Sequence, residues 1–165
     1  MSYPKVQAYF DSIGMGDRPV VHDTPTDTVE HAAQVLGCEE ARIEKTMSFM
    51  VGDQPIVIAM AGDAKIDNRK YKDTFHKKCR MIGWDDVENI IGHEPGGVCP
   101  FAVNEGVKVY LDVSLKGFKI VHAAAGDHIS TISLTVDELE KVTNSEGWVD
   151  VCKGWDETRD PANPI

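Results

Sequence analysis

No stretch of the sequence is apolar for long enough to span a bilayer. The opening residues Met1-Ser2-Tyr3-Pro4-Lys5 also lack the basic flank and apolar run of an export signal. A soluble, cytoplasmic protein with no membrane partner is expected. Paired cysteines are missing too. Cys38, Cys79, Cys99 and Cys152 stand far apart with no Cys-x-x-Cys spacing, which argues against a zinc site or a dense disulfide framework and leaves reduced thiols. His22, His76, His93, His122 and His128 form no His-x-x-x-His or Glu-linked pattern, so neither a metal nor any other cofactor is called for. Positive charge is in short supply. Lys and Arg total 17 against 27 Asp and Glu, a formal net charge of −10. That excludes a broad electrostatic grip on nucleic acid, DNA included, and any RNA partner needs a local basic patch.

What is present fits one domain. A chain of 165 residues at 42% hydrophobic content can bury a sizeable core but leaves little room for a second. Ser2 as cap, Pro4 in the first turn and Val6, Tyr9, Phe10 and Ile13 at helical spacing predict an amphipathic helix before Gly14. Pro19 to His22 suits a short strand. Asp27 with Glu30 predicts a capping box for a helix carrying Val29, Ala32, Ala33 and Leu36, stopped by Gly37. Lys45 to Val51 and Ile56 to Met60, joined by Gly52-Asp53-Gln54-Pro55, predict a β-hairpin.

The most basic segment follows, with Lys65, Arg69, Lys70, Lys72, Lys77 and Lys78, and it is expected to be helical from about Asp67. Cys79 to Ile82 reads as a strand. Trp84 to Ile91 reads as a helix with Trp84, Val87, Ile90 and Ile91 on one face. Val107 to Val113, Phe118 to Ala123 and Ile129 to Leu134 read as strands, and Thr135 with Glu138 as a capping box for a helix carrying Val136, Leu139 and Val142. Trp148 to Cys152 fits a last strand. Lys153 to Ile165, polar with two prolines, is expected to be a loosely attached tail. Helices and strands mix without regular βαβ alternation, which predicts a single α+β domain over residues 1–165.

The stretch His93 to Val103, His-Glu-Pro-Gly-Gly-Val-Cys-Pro-Phe-Ala-Val, carries one acid among two prolines and a glycine pair. Pro95 fixes one φ, and Gly96 and Gly97 free the next two, so the backbone can turn sharply and offer N–H groups to a ligand that a Cβ would keep away. The alternative is a tight connector. Cys99 within the stretch would be a nucleophile only if a base lowered its pKa; with His93 and His122 set at no recognisable spacing, a small buried thiol is the better reading.

Several of these residues carry a resemblance. Glu44-Lys45-Thr46, then Ala61-Gly62-Asp63 running into Ile66-Asp67, then Gly96-Gly97-Val98-Cys99-Pro100-Phe101, then Ala124-Ala125-Gly126 before Ile132-Ser133-Leu134 are similar to the YbaK/prolyl-tRNA synthetase-associated domain family. The likeness runs from about residue 18 to residue 152 with the motifs in the family's order. It implies a mixed, partly open β-barrel-like sheet wrapped by helices, and hydrolysis of the ester of a mischarged aminoacyl-tRNA in trans. It also implies that Lys45 is the functional lysine, that Gly96, Gly97 and Pro100 form the glycine-proline loop, and that Phe101, Gly126 and Asp137 belong to the pocket. Asp137 also reads as a first-turn carboxylate favoured by the helix dipole. Where many members continue Pro-Phe-Gly, this chain has Ala102, which stiffens the loop.

The chemistry stands without the name. An aminoacyl ester with an α-ammonium group is an activated electrophile, so a positioned water and N–H donors to the developing oxyanion supply much of what hydrolysis needs. Lys45 would hold a phosphate or ribose oxygen of the tRNA 3′ end or polarise the carbonyl, and both remain open. Lys65, Arg69, Lys70 and Lys72 are the expected tRNA contacts, helped by Lys77 and Lys78. The expected substrates are small residues of the Cys, Ala or Ser type on tRNA(Pro), with an aminoacyl-tRNA synthetase as a further partner and no metal required. The alternative function is a non-catalytic module of the same fold that holds a small ligand or a synthetase.

Overall fold

The computed structural model describes residues 2–165. Helix α1, Tyr3–Ser12, carries Pro at its start and buries Val6 and Phe10 one turn apart. Ser2 does not cap it; its hydroxyl donates instead to the Gly126 carbonyl. Strand β1, Pro19–Val21, precedes α2, Val29–Leu36. The cap of α2 falls one residue later than expected: Thr28 Oγ1 accepts from the His31 N–H at 3.0 Å, while Asp27 bonds the His31 ring nitrogen at 2.8 Å. Gly37 ends the helix in the left-handed conformation.

The hairpin forms as the sequence pattern predicts. β2, Glu44–Val51, pairs antiparallel with β3, Gln54–Ala61, in a register from Glu44–Ala61 to Val51–Gln54. After β4, Lys65–Ile66, the Asp67 carboxylate caps α3, Asn68–Phe75, by accepting from the Arg69 and Lys70 N–H groups. Residues 79–82 do not form a regular strand but lean on β2: Met50 N–H donates to the Arg80 carbonyl and Ile82 N–H to that of Ser48. Helix α4 is only Val87–Ile91. Trp84 lies in the turn before it, 73% exposed, and is not on its buried face.

The second half is mainly sheet. β5 is Lys108–Asp112, β6 Ile120–Ala124, β7 Ser130–Thr135, β8 Gly147–Val149 and β9 Cys152–Lys153. Thr135 and Glu138 make the expected capping box of α5, Val136–Val142. One sheet runs β1-β7-β6, all antiparallel, and the other β2-β3-β5-β8, with parallel pairings of β3 with β5 and β5 with β8; β4 pairs with β9. A parallel bridge from Ile43 to His122 joins β6 to the start of β2, giving one mixed wall that does not close on itself. This is the single α+β domain the sequence predicts. Central β3 is buried from Ile56 to Ala61, and Phe10, Phe49, Tyr71 and Phe101 fill the core, with Phe10 edge-on to Phe101 at 5.0 Å. Burying each such ring contributes roughly 1.5–3 kcal/mol.

The expectation of a loose tail is corrected. The Arg159 side chain is 5% exposed; its guanidinium bonds both Asp63 oxygens, at 2.8 and 3.2 Å, and the Ser114 carbonyl, and lies 4.4 Å from the Phe118 ring centre. At the far end, Ile165 N–H donates to the Gly117 carbonyl and the Ile165 carbonyl accepts from Lys119 N–H. A polar composition concealed a charged anchor that reaches the buried Ser114 and Phe118.

Candidate functional site

β2 brings its polar side chains to a cavity of about 350 Å³ bounded by the start of α2, the Pro95–Val98 turn, β6 and residues 81–87. The turn is built by its sequence. Gly97 N–H donates to the Glu94 carbonyl at 2.9 Å, with Pro95 in the second position and Gly96, at φ +88, in the third, the arrangement of a type II turn. Gly97 is then pressed against the 126–127 backbone: a Cβ there would stand 2.6 Å from Asp127 N and from Gly126 C. The 126–130 segment is in turn fixed by the Asp127 carboxylate, which accepts from the Ile129 N–H and the Ser130 hydroxyl.

The turn's donors therefore differ from those expected. Gly97 N–H is taken up inside the turn, and Gly97 does not line the cavity. Gly96 and Val98 do line it, and among the described residues their N–H groups make no hydrogen bond. Pro100 and Phe101 are buried behind the turn, outside the lining. Phe101 packs on α1 and its carbonyl accepts from His93 Nε2 at 2.7 Å. Gly126, at φ +105, also stands behind the turn, close to the Ser2–Tyr3 backbone. Pro100, Phe101 and Gly126 therefore stand outside the cavity lining. Asp137 is elsewhere: it is exposed on the first turn of α5 and borders a separate hollow with Lys116, Phe118 and Trp148.

Strand alternation separates the two charges of β2. Lys45, paired with Met60 across the hairpin, lies at the cavity's edge with its side chain on the opposite face of β2 from Glu44. It is half-buried, with Nζ 3.5 Å from the Gly62 carbonyl. Burial holds its pKa below the usual lysine value; Cys152 and Asp63 oppose the shift, and nearby Lys65 adds to it. Lys65 on β4 and Arg69 and Lys72 on α3 are exposed, whereas Lys70 is held by Asp150 at 3.1 Å and the Cys152 carbonyl at 3.0 Å. Lys77 and Lys78 are exposed after α3.

Glu44 was missed as a site residue. It is 3% exposed and lines the cavity; Thr46 Oγ1 donates to its Oε1 at 2.5 Å, and Oε2 has no partner among the described residues. Burial pushes its pKa up to about 8, against a smaller lowering by Thr46. Ser48 follows on the same face, also buried. The available signal was Glu44, Thr46 and Ser48 at period two on a strand whose other face carries Lys45 and then apolar residues. The rim residues Trp84, 73% exposed, and Met81, 56% exposed, were likewise not singled out.

Cys99 is fully buried, and burial raises its thiol pKa far above the ordinary value. His93 Nε2 stands 3.4 Å from its sulfur but is committed to the Phe101 carbonyl, and burial pushes His93 down to about 4. The pair is a core contact without a base. His122, whose Nδ1 bonds Ser133 Oγ at 2.7 Å, lines the cavity on β6.

A mixed, unclosed sheet thus presents a lysine-bearing strand and a glycine-proline turn to one small cavity. The chain belongs to the aminoacyl-tRNA editing domain family, whose pattern matches residues 23–142. It is 45% identical to the protein YwhH of Bacillus subtilis (strain 168) over 157 residues, covering 94% of this chain and 100% of that one. It is 26% identical over 111 residues to the proline–tRNA ligase of the same organism, covering 66% of this chain but 20% of the ligase. A crystal structure of a candidate trans-editing enzyme for prolyl tRNA synthetase superposes with a TM-score of 0.83 at 27% identity, over 93% of this chain and 98% of that one. Among the described residues no helix is long and apolar enough to cross a membrane.

Proposed function

We propose that this domain hydrolyses the ester of mischarged aminoacyl-tRNA in trans, in the cytoplasm, releasing a small amino acid of the Cys, Ala or Ser type from tRNA(Pro). The observation that carries this reading is the cavity of about 350 Å³ whose lining includes Lys45 together with Gly96 and Val98, two residues whose N–H groups make no hydrogen bond among the described residues. The ester carbonyl oxygen sits against those two N–H groups, which stabilise the oxyanion as water adds to the carbon. Collapse of the tetrahedral intermediate breaks the bond to the ribose oxygen, which takes up a proton and leaves as uncharged tRNA. Lys45 and Lys65 hold the phosphate and ribose of the 3′ end, and Arg69 and Lys72 extend the grip along the acceptor strand. Trp84 and Met81, at the rim, offer the terminal adenine a stacking surface.

No metal takes part in this scheme. A synthetase that releases the mischarged tRNA is the natural partner. The test is a panel of tRNA(Pro) and other tRNAs charged with Ala, Ser, Cys, Thr and Pro, followed for release of the amino acid. Accelerated release from one or more small residues, with Pro-tRNA(Pro) spared, is the expected result. Binding without release would make the domain a ligand-holding module instead.

A further inference from the structure

Glu44 combines three properties that the proposed hydrolysis does not use: it is almost wholly buried, it lines the cavity, and one carboxyl oxygen is without a partner. The other oxygen is fixed by Thr46, which sets the direction of the carboxyl along the inner face of β2. A buried acid with an unmatched oxygen is costly, and its largest electrostatic gain comes from a cation placed against it. The other acid in the wall, Asp27, is already engaged by His31.

We propose that Glu44 is the counter-ion for the substrate's α-amino group, so that the cavity selects α-aminoacyl esters over α-hydroxyacyl and N-blocked ones. The inference rests on the aminoacyl-ester reading and names what that site recognises. The α-ammonium is the one positive charge on an alanyl, seryl or cysteinyl ester. A neutral side chain needs no charged partner, and the Ser48 hydroxyl in the cavity wall can serve a polar one, which leaves the carboxyl for the charge. With Glu44 protonated in the empty cavity, a neutral α-amine that binds takes the proton from Oε2 onto nitrogen, giving a carboxylate–ammonium pair with no proton exchanged with water. An ammonium that binds displaces the same proton to solvent. α-Amino groups titrate at about 7.7–8.0, close enough to the carboxyl for the transfer to be nearly balanced.

The experiment uses two adenosine analogues with an amide in place of the scissile ester, 3′-alanylamino- and 3′-lactylamino-3′-deoxyadenosine, titrated calorimetrically into the full chain. Wild type should bind the alanyl analogue at least tenfold more tightly. Glu44→Gln should bring the two within about threefold, and Glu44→Asp, which keeps the charge one methylene further back, should give a preference between these. Equal affinities in wild type, no binding of either analogue, or an undiminished preference in either variant would overturn the proposal. Because binding is read separately from turnover, an alanyl preference without deacylation of any charged tRNA would sink the hydrolytic reading and leave this one. Turnover without the preference would do the reverse.

Discussion

His93 Nε2 stands 3.4 Å from the Cys99 sulfur and donates its hydrogen elsewhere, to the Phe101 carbonyl at 2.7 Å. A base that is itself a donor at the facing nitrogen cannot take the thiol proton, and burial keeps both groups neutral near pH 7. Cys99→Ala should therefore keep kcat/KM within about threefold, with a Tm lowered by the small void it leaves. A loss of two orders of magnitude or more would restore Cys99 as nucleophile.

Gly97 matters for what it lies against. Gly97→Ala puts a methyl group 2.6 Å from the Asp127 backbone, where no flexible side chain can yield, and overpacking of this kind costs about 1–3 kcal/mol. Tm should fall by several degrees and kcat by more than tenfold as Gly96 and Val98 are displaced. Wild-type stability in this variant would show that the two backbones do not meet.

Among the described residues the Lys45 side chain makes one long hydrogen bond, so little of the fold depends on that side chain. Lys45→Ala should reduce deacylation at least a hundredfold with the circular dichroism spectrum unchanged and Tm shifted by no more than a few degrees. Comparable loss in Lys65→Ala but not in Lys70→Ala is expected, since Lys70 is already bound to Asp150.

Glu44 also gives stability a pH dependence whose sign is fixed. Its carboxyl titrates near 4.5 in the unfolded chain and about 8 in the folded one, so between these values the native state holds a proton that the unfolded state has released. Stability from this group is full below about pH 4.5, declines as pH rises, and levels off above about pH 8. Glu44→Gln removes the decline. Its Tm should match wild type at pH 4 and exceed it at pH 8.5, by on the order of a few kcal/mol in free energy. A constant difference across that range would mean that Glu44 does not titrate as a buried acid.

Ala102 adopts φ +50, a left-handed conformation that costs an L-residue about 1–2 kcal/mol. It packs against the main core and does not line the cavity, so the stiffness it adds lies behind the turn. Ala102→Gly should raise Tm slightly and leave substrate preference unchanged, which the charged-tRNA panel checks directly.

Elements announced by adjacent residues were legible in the sequence. The hairpin through Gly52-Asp53, the Asp67 cap and the Thr135–Glu138 box all depend on contacts within a few positions, and all three form. Trp84 was misplaced because an apolar residue at helical spacing can as well stand in the turn that precedes the helix. The parallel pairings of β3, β5 and β8 unite strands separated by 30 residues or more and leave no local trace. Of the site, Lys45 and the Gly96 turn were identified through the family likeness. Glu44 was quoted among its motifs, yet its importance lies in a missing partner, a property visible only in three dimensions. Asp137 matched a pattern but stands on α5, outside the lining of this cavity. The tail misled because its anchors lie far along the chain: Arg159 has partners about 45 and 96 positions away, and Ile165 pairs with Gly117 and Lys119.

Ile43 and His122, which form the bridge between the two sheets, both also line the cavity. Within either sheet, parting two strands breaks a ladder of several bonds; at this junction it breaks one bridge. The seam is therefore the place where the least backbone pairing holds the wall together, and it lies in the wall of the cavity itself.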